Sequence, residues 1–276
     1  MAKINSKISG FYKLSVEERQ KIIADQCDLT EEELNLLGEF GYFKKEQLDT
    51  MIENVVGSYQ LPIGIACNFK INGEDKLIPM VIEEPSVVAA ASNAAKMTRI
   101  HGGFKCEEIE PIMIAQIQIT SMKSIKKAEE AIWDKKKDIL KLANSQDPLL
   151  VKLGGGAMEV NTRTFETNRG DMIIVHLLVN VLDAMGANAV NTMAEAIAPL
   201  LEEITGGKVY LRIVSNLAKH RVARAKAIFD KELLGGKEVV EGILNAYEFA
   251  RVDPYRATTH NKGIMNGIIA LTLATG

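Results

Sequence analysis

Between Arg251 and Gly267 the chain reads RVDPYRATTHNKGIMNG, which gathers Asp253, Arg256, His260, Asn261, Lys262 and Asn266 beside Pro254 and two glycines. A cluster of this kind can grip and polarise a polar ligand. The apolar GIIALTLA that follows predicts a buried element, with the polar run at its entry. An ammonium such as Lys262 at the mouth of a buried segment is desolvated; it then shifts its pKa or acts strongly on a developing anion. A solvated polar turn fits the same spacing, so both readings stand.

Three other stretches carry chemistry-bearing residues. Glu83 and Glu84 precede Pro85 and Ser86 where a strand gives way to a helix. Two carboxylates there complement the helix dipole. Alternatively, like-charge proximity raises one pKa and leaves an acid able to donate a proton near neutral pH. The run Asp183-Ala184-Met185-Gly186-Ala187-Asn188 lies between a strand end and a helix start. It is either a plain turn with an aspartate cap or a backbone cradle for phosphate. No G-x-G-x-x-G follows a strand, so a Rossmann site has no support. Residues 219–226, KHRVARAK, predict a basic helical run, either a solvated face or a grip for the phosphates of a nucleotide-bearing substrate.

The elements that must position these residues follow from periodicity. Ser15 and Glu18 have capping-box spacing for a helix over 15–26, and Thr30 caps a second that stops at Gly38. Leu48, Met51, Ile52, Val55 and Val56 form a helical stripe over 47–57. CNFKI and KLIPMVI flank Asn72-Gly73 as a hairpin with a few extra loop residues. An Ala-rich helix, capped by Ser86 or the residue before it and ended by Gly102-Gly103, has small residues on most faces and predicts a central position. From residue 110 the order is strand, a long helix with Ile125, Ala128, Ile132, Ile139 and Leu142 on one face, strand, strand, helix, strand. That is the βαββαβ, ferredoxin-like plan. The expected fold is therefore α+β. A mainly helical large domain with a hairpin, residues 1–109 and 216–276, is interrupted by an inserted ferredoxin-like small domain, residues 110–215. SNLAKHRVARAKAIF and VVEGILNAYEFARV return the chain to helices.

Composition narrows the function classes. The 276 residues are 47% hydrophobic and 25% charged, with a net charge of −3 and a pI near 5.9. A basic nucleic-acid surface is not expected on that balance. No apolar run reaches spanning length without charge, and the opening MAKINSKISGFYKLS lacks a signal-peptide core, so a cytoplasmic protein with no membrane partner is expected. Cys27, Cys67 and Cys106 give neither a disulfide framework nor a zinc pattern, and the four histidines are scattered, so no metal is expected.

Four motifs in one order, ENVVGSYQLPIG, EEPSVVAAAS, DAMGANAVNTMAEA and DPYRATTHNKGIMNG, resemble the hydroxymethylglutaryl-CoA reductases, specifically the soluble microbial class II form. The resemblance runs over nearly the whole chain. It implies a large domain for the acyl-CoA and an inserted domain for NADH or NADPH. It also implies a homodimer, or a multiple of dimers, with the ENVVG helix near the contact. The implied reaction takes 3-hydroxy-3-methylglutaryl-CoA by two hydride transfers to mevalonate and CoA, or runs in reverse. Lys262 matches the catalytic lysine and Glu84 the catalytic acid; Ser86, Arg256 and Asn266 match positions on the acyl group. Asp183, Met185, Gly186, Ala187 and Asn188 match the cofactor turn, and Asn216 lies beside it. Asp147 resembles the acid placed on the adenosine ribose, where a carboxylate favours NADH over NADPH.

The family pattern continues with a catalytic aspartate and a histidine that match nothing up to Gly276, so a fragment of a longer protein is expected, a split or degenerate form being the other option. A truncated dimeric module that binds dinucleotide or acyl-CoA without turnover is the alternative function. A lyase using Lys262 as a Schiff base is a third.

Overall fold

A computed structural model describes residues 11–276; the opening residues read above for a signal core lie, up to Gly10, outside it. The chain begins with α1 (Val16–Cys27), α2 (Glu31–Leu37) and α3 (Lys45–Leu48), then the strands β1 (Ile63–Ile71) and β2 (Glu74–Val81) and the helix α4 (Val87–Thr98). Next come β3 (Phe104–Cys106), β4 (Ile112–Thr120), α5 (Ile125–Asp134), α6 (Lys136–Asn144), α7 (Pro148–Lys152), β5 (Gly156–Phe165), β6 (Met172–Asn180), α8 (Ala187–Thr205), β7 (Lys208–Val214) and β8 (Ala225–Ala227). The helices α9 (Lys231–Leu234), α10 (Lys237–Val252) and α11 (Pro254–Thr275) close the sequence. Two compact units result, one of the described residues up to Gly103 together with 228–276, the other of 104–227. The second begins before residue 110 and ends after 215, because β3 pairs antiparallel with β8 from Phe104↔Ala227 to Cys106↔Ala225.

The small unit is ferredoxin-like. Its sheet runs β5-β6-β4-β7 with antiparallel neighbours throughout. Alternation along β4 and β6 sends Ile117, Ile119, Ile173, Val175, Leu177 and Val179 into the core, where Ile132, Ile139, Met193, Ile197 and Leu201 meet them from the helices. This is the period-2 against period-3.6 match that the sequence displayed. The long predicted helix is broken at Lys135 (φ −97°, ψ 8°), which ends α5 and starts α6. Its apolar face survives the break, since Ile132 and Ile139 are both buried.

The large unit departs from expectation in several places. Ser15 and Thr30 do cap α1 and α2 with the expected boxes to Glu18 and Glu33. The helix expected over 47–57, including ENVVG, does not form. Arg19 donates to the Val55 carbonyl at 3.2 Å and to Asp49 at 2.6 Å, and Gln20 donates to the Val56 carbonyl at 2.8 Å. Buried side chains thus take the carbonyls that a helix would use, and Asn54 turns the backbone at φ 60°. The hairpin has no extra loop residues: Ile71 pairs with Glu74, and Asn72 and Gly73 both take positive φ, as a two-residue primed turn requires. The Ala-rich α4 buries Ala95 and Thr98 but leaves Ala89, Ala90 and Ala94 exposed, so it is not enclosed as expected. The predicted helix over SNLAKHRVARAKAIF is absent too; this segment is loop except for β8.

Residues 254–275 form one helix, so the polar run is neither a turn nor the entry to a separate element. The expectation that GIIALTLA is buried also fails. Only Ala270 is buried on α11, and Ile268, Ile269 and Leu273 are about half exposed. Ala270 joins Ala66 and Met80 in a small core, with Phe69, Ile78 and Val88 packed on it. That core sets α11 on the hairpin. Among the described residues no helix is long and apolar enough to cross a membrane.

Candidate active site

In the large unit the link after β2 meets α11. Lys262 Nζ donates to Glu84 Oε2 at 2.6 Å, and Asn266 Nδ2 donates to the same oxygen at 3.1 Å. Lys262 and Asn266 are one helical turn apart, so they present an ammonium and an amide on one face. The pair is open to solvent, with side-chain exposures of 63% for Lys262 and 46% for Glu84. The Lys262 hydrogen bond first, and then its charge, hold the Glu84 carboxyl below the usual carboxylate range. Of the two readings of Glu83 and Glu84, a carboxyl raised by like charge does not hold at Glu84, because the Lys262 ammonium hydrogen-bonded to it pulls the other way. In this geometry Glu84 is a carboxylate and Lys262 its counter-ion.

Ser86 starts α4 with a left-handed backbone, φ 73° and ψ −19°, and its hydroxyl makes no capping bond. A non-glycine residue held there carries strain, and its side chain is left available. Arg256 is not brought to the pair. It sits about a third of a turn around α11 from Lys262, and no hydrogen bond or ion pair holds it among the described residues. Asp253 caps α11 by accepting the Tyr255 N–H at 3.2 Å.

In the small unit, Asp147, Met185, Gly186 and Asn188 line one cavity of about 500 Å³, with Gln146, Ala184, Ala189 and Thr192. Asp183, Ala187 and Asn216 do not line it. Gly186 starts α8 at φ 91°, and a Cβ there would lie 2.7 Å from Val181 Cγ1 and 2.8 Å from Met113 Sδ. Only glycine fits that corner. No side chain caps α8, and the N–H groups of residues 185–189 find no acceptor among the described residues. Those free donors beside a cavity suit an anionic group. Asp147 accepts the Leu150 N–H at 2.9 Å as the cap of α7, a structural task that the sequence reading missed. Arg221, noticed only as part of the basic run, donates to the carbonyls of Met185 and Ala184, both at 3.0 Å. Among the described residues no three His, Cys, Asp or Glu side chains gather as a metal-binding set.

A helical unit bearing an ammonium–carboxylate pair, interrupted by a ferredoxin-like unit with a cavity at a helix start, defines a two-unit α+β protein. Residues 15–276 match the profile of the hydroxymethylglutaryl-coenzyme A reductases, and the chain belongs to that family. It is 57% identical over 273 residues to 3-hydroxy-3-methylglutaryl-coenzyme A reductase of Archaeoglobus fulgidus, covering 99% of this chain and 62% of the relative. A probable reductase of Borreliella burgdorferi is 33% identical, covering 97% of this chain and 63% of that protein. Among solved structures, the Streptococcus pneumoniae reductase matches with a TM-score of 0.81 at 39% identity, covering 97% of this chain and 65% of that one. A structure of the class II S. pneumoniae enzyme bound to NADPH in open conformations matches equally well in score and identity. The chain thus spans a little over three-fifths of the length of these two curated relatives.

Proposed function

We propose that this chain carries the acyl and dinucleotide sites of a hydroxymethylglutaryl-CoA reductase, which converts 3-hydroxy-3-methylglutaryl-CoA and reduced nicotinamide dinucleotide to mevalonate and CoA, or the reverse. The observation that carries this reading is the meeting of Lys262 and Glu84, 178 positions apart in sequence, on one oxygen at 2.6 Å. The large unit takes the acyl-CoA and dimerises; the small unit takes the dinucleotide. The exposed Ala89, Ala90 and Ala94 face of α4 supports a pairing surface, since small residues let backbones approach closely. A cytoplasmic setting suits these ligands.

The dinucleotide fits the small-unit cavity by its free N–H groups and its glycine corner, and when bound it supplies the hydride. Hydride addition to the thioester carbon leaves negative charge on the carbonyl oxygen, and the Lys262 ammonium turns from Glu84 toward that charge. Asn266 adds a donor on the same face. Ser86 and Arg256 hold the acyl carboxylate and hydroxyl, the guanidinium being suited to a forked grip. Glu84 is ionised in the open pair. Substrate covering the pair displaces water and raises the carboxyl toward a protonated state, from which it delivers a proton to the aldehyde-level oxygen in the second reduction. Asp147 keeps one oxygen free of its capping bond, and that carboxylate accepts from a ribose hydroxyl and repels a 2′-phosphate, which favours NADH over NADPH.

The test is NADH and NADPH oxidation in the presence of 3-hydroxy-3-methylglutaryl-CoA, with released CoA thiol trapped as a second readout. One thiol per two dinucleotides supports the reading. Dinucleotide binding with no thiol release favours instead a module that binds without turnover.

A further inference from the structure

The dinucleotide cavity depends on a turn whose peptide planes must be held one way round. A trans peptide points its C=O and N–H in opposite directions. Arg221 Nη2 donates to the carbonyl of Ala184 and Nη1 to that of Met185, both at 3.0 Å, so two successive planes turn their oxygens toward the guanidinium. The N–H groups of Met185 and Gly186 then point away from it, and neither finds an acceptor among the described residues. Arg221 Nη1 also lies 3.6 Å from Met113 Sδ, which together with Val181 closes off the Gly186 corner. Ala184, Met185 and Gly186 line the cavity, whereas Arg221 does not. Its charge therefore acts behind the turn, on backbone, and not on the ligand.

We propose that Arg221 is a positioning residue for the dinucleotide: its forked guanidinium fixes the 184–186 peptide planes so that the Met185 and Gly186 N–H groups are presented as donors to a phosphate-bearing ligand. This rests on the cofactor reading of the cavity given above. A fork is needed because two carbonyls on adjacent planes must be held together. An ammonium is a point charge that satisfies one well and the other poorly. Without the fork, either plane can flip and replace a donor by an oxygen that repels phosphate.

The experiment titrates NADH, followed by nicotinamide fluorescence, into the protein and its Arg221→Met and Arg221→Lys variants. Amide hydrogen exchange at residues 185–189 is read in the free proteins. Charge-assisted bonds of this kind imply an affinity loss of about tenfold for Arg221→Met. Arg221→Lys should recover only part of it, while millimolar guanidinium added to Arg221→Met restores binding. Faster exchange should be confined to the turn, with the interior of α8 unchanged. Wild-type affinity in Arg221→Met overturns the proposal. So does full recovery by lysine, which would mean that charge alone matters. Should Arg221→Met fail to fold, Arg221→Lys decides alone: affinity weaker than wild type supports the fork, and equal affinity refutes it. A wild-type protein that binds neither NADH nor NADPH sinks the cofactor reading itself, an outcome separate from binding that is indifferent to Arg221.

Discussion

The small unit and the large unit bury their apolar residues to very different degrees. In the small unit one continuous core joins every sheet strand to α5, α6 and α8, and its central residues are fully inaccessible. In the large unit the hairpin and α11 bury only Ala66, Met80 and Ala270 together among the described residues, with α4 packed on them partly buried, and α10 buries none. A Cβ added at Gly242, Gly263 or Gly267 would touch nothing within 4 Å, which shows how open the faces of α10 and α11 are. The proposed dinucleotide cavity thus stands on a self-sufficient core. The Glu84–Lys262 pair joins the link after β2 to α11, whose apolar face is half open among the described residues.

The sharpest way to break this contrast is at Lys262. Lys262→Met should lower turnover of 3-hydroxy-3-methylglutaryl-CoA by about 10³ while leaving stability nearly unchanged, because the pair is exposed. A steady-state assay and a urea melt read the two halves, and a large loss of stability would erase the distinction. Next in size is Leu177→Ala in the small-unit core. It should cost about 3 kcal/mol in the transition of that unit, against under about 1 kcal/mol for Ile268→Ala on the open face of α11. Equal costs would mean that the two cores do not differ. A smaller effect is expected of Asp147→Asn, since asparagine still caps α7 but carries no charge. The ratio of NADPH to NADH affinity should rise about tenfold in paired titrations, and an unchanged ratio would remove Asp147 from cofactor choice.

The smallest effect is a pH slope. Burial, then Arg163, then Lys219, hold the His176 imidazole below its ordinary pKa. The unfolded chain therefore binds the proton first. As pH falls through the unfolded pKa of about 6.5, the small unit should lose stability until the folded imidazole is protonated as well. His176→Gln should flatten that part of the profile in thermal melts, and an unaltered slope would assign it to other groups.

Much of the small unit was legible because alternation in its strands and the helical stripe between them agree with one layered packing, as Ile117, Ile132 and Leu177 show. The capping boxes at Ser15 and Thr30 were legible because they are local. What failed depended on distant partners. Residues 47–57 carry a helical stripe, yet Arg19 and Gln20 claim their carbonyls from α1. Residues 219–226 have helical composition, but Arg221 is drawn to the 184–185 carbonyls and the following residues pair with β3. In the site, residue types flagged Glu83-Glu84, Lys262 and Asn266, and the family resemblance singled out Glu84 from the acidic pair. The lowered pKa of Glu84 was not legible, since nothing in the order of residues says that Lys262, 178 positions away, meets it. The capping task of Asp147 was missed too, although Asp before Pro at a helix start is a readable signal.

Because Lys262 and Asn266 reach one carboxylate oxygen from a single unbroken helix, the distance between their anchor points is a fixed gauge of about 6 Å. Side chains can swing but the gauge cannot stretch. Adding one residue between them would rotate the second anchor about 100° around the axis and leave Glu84 with a single partner. A ligand that takes the ammonium away therefore leaves Glu84 still tethered by an amide at the next rung, and letting go of one partner does not release the acid.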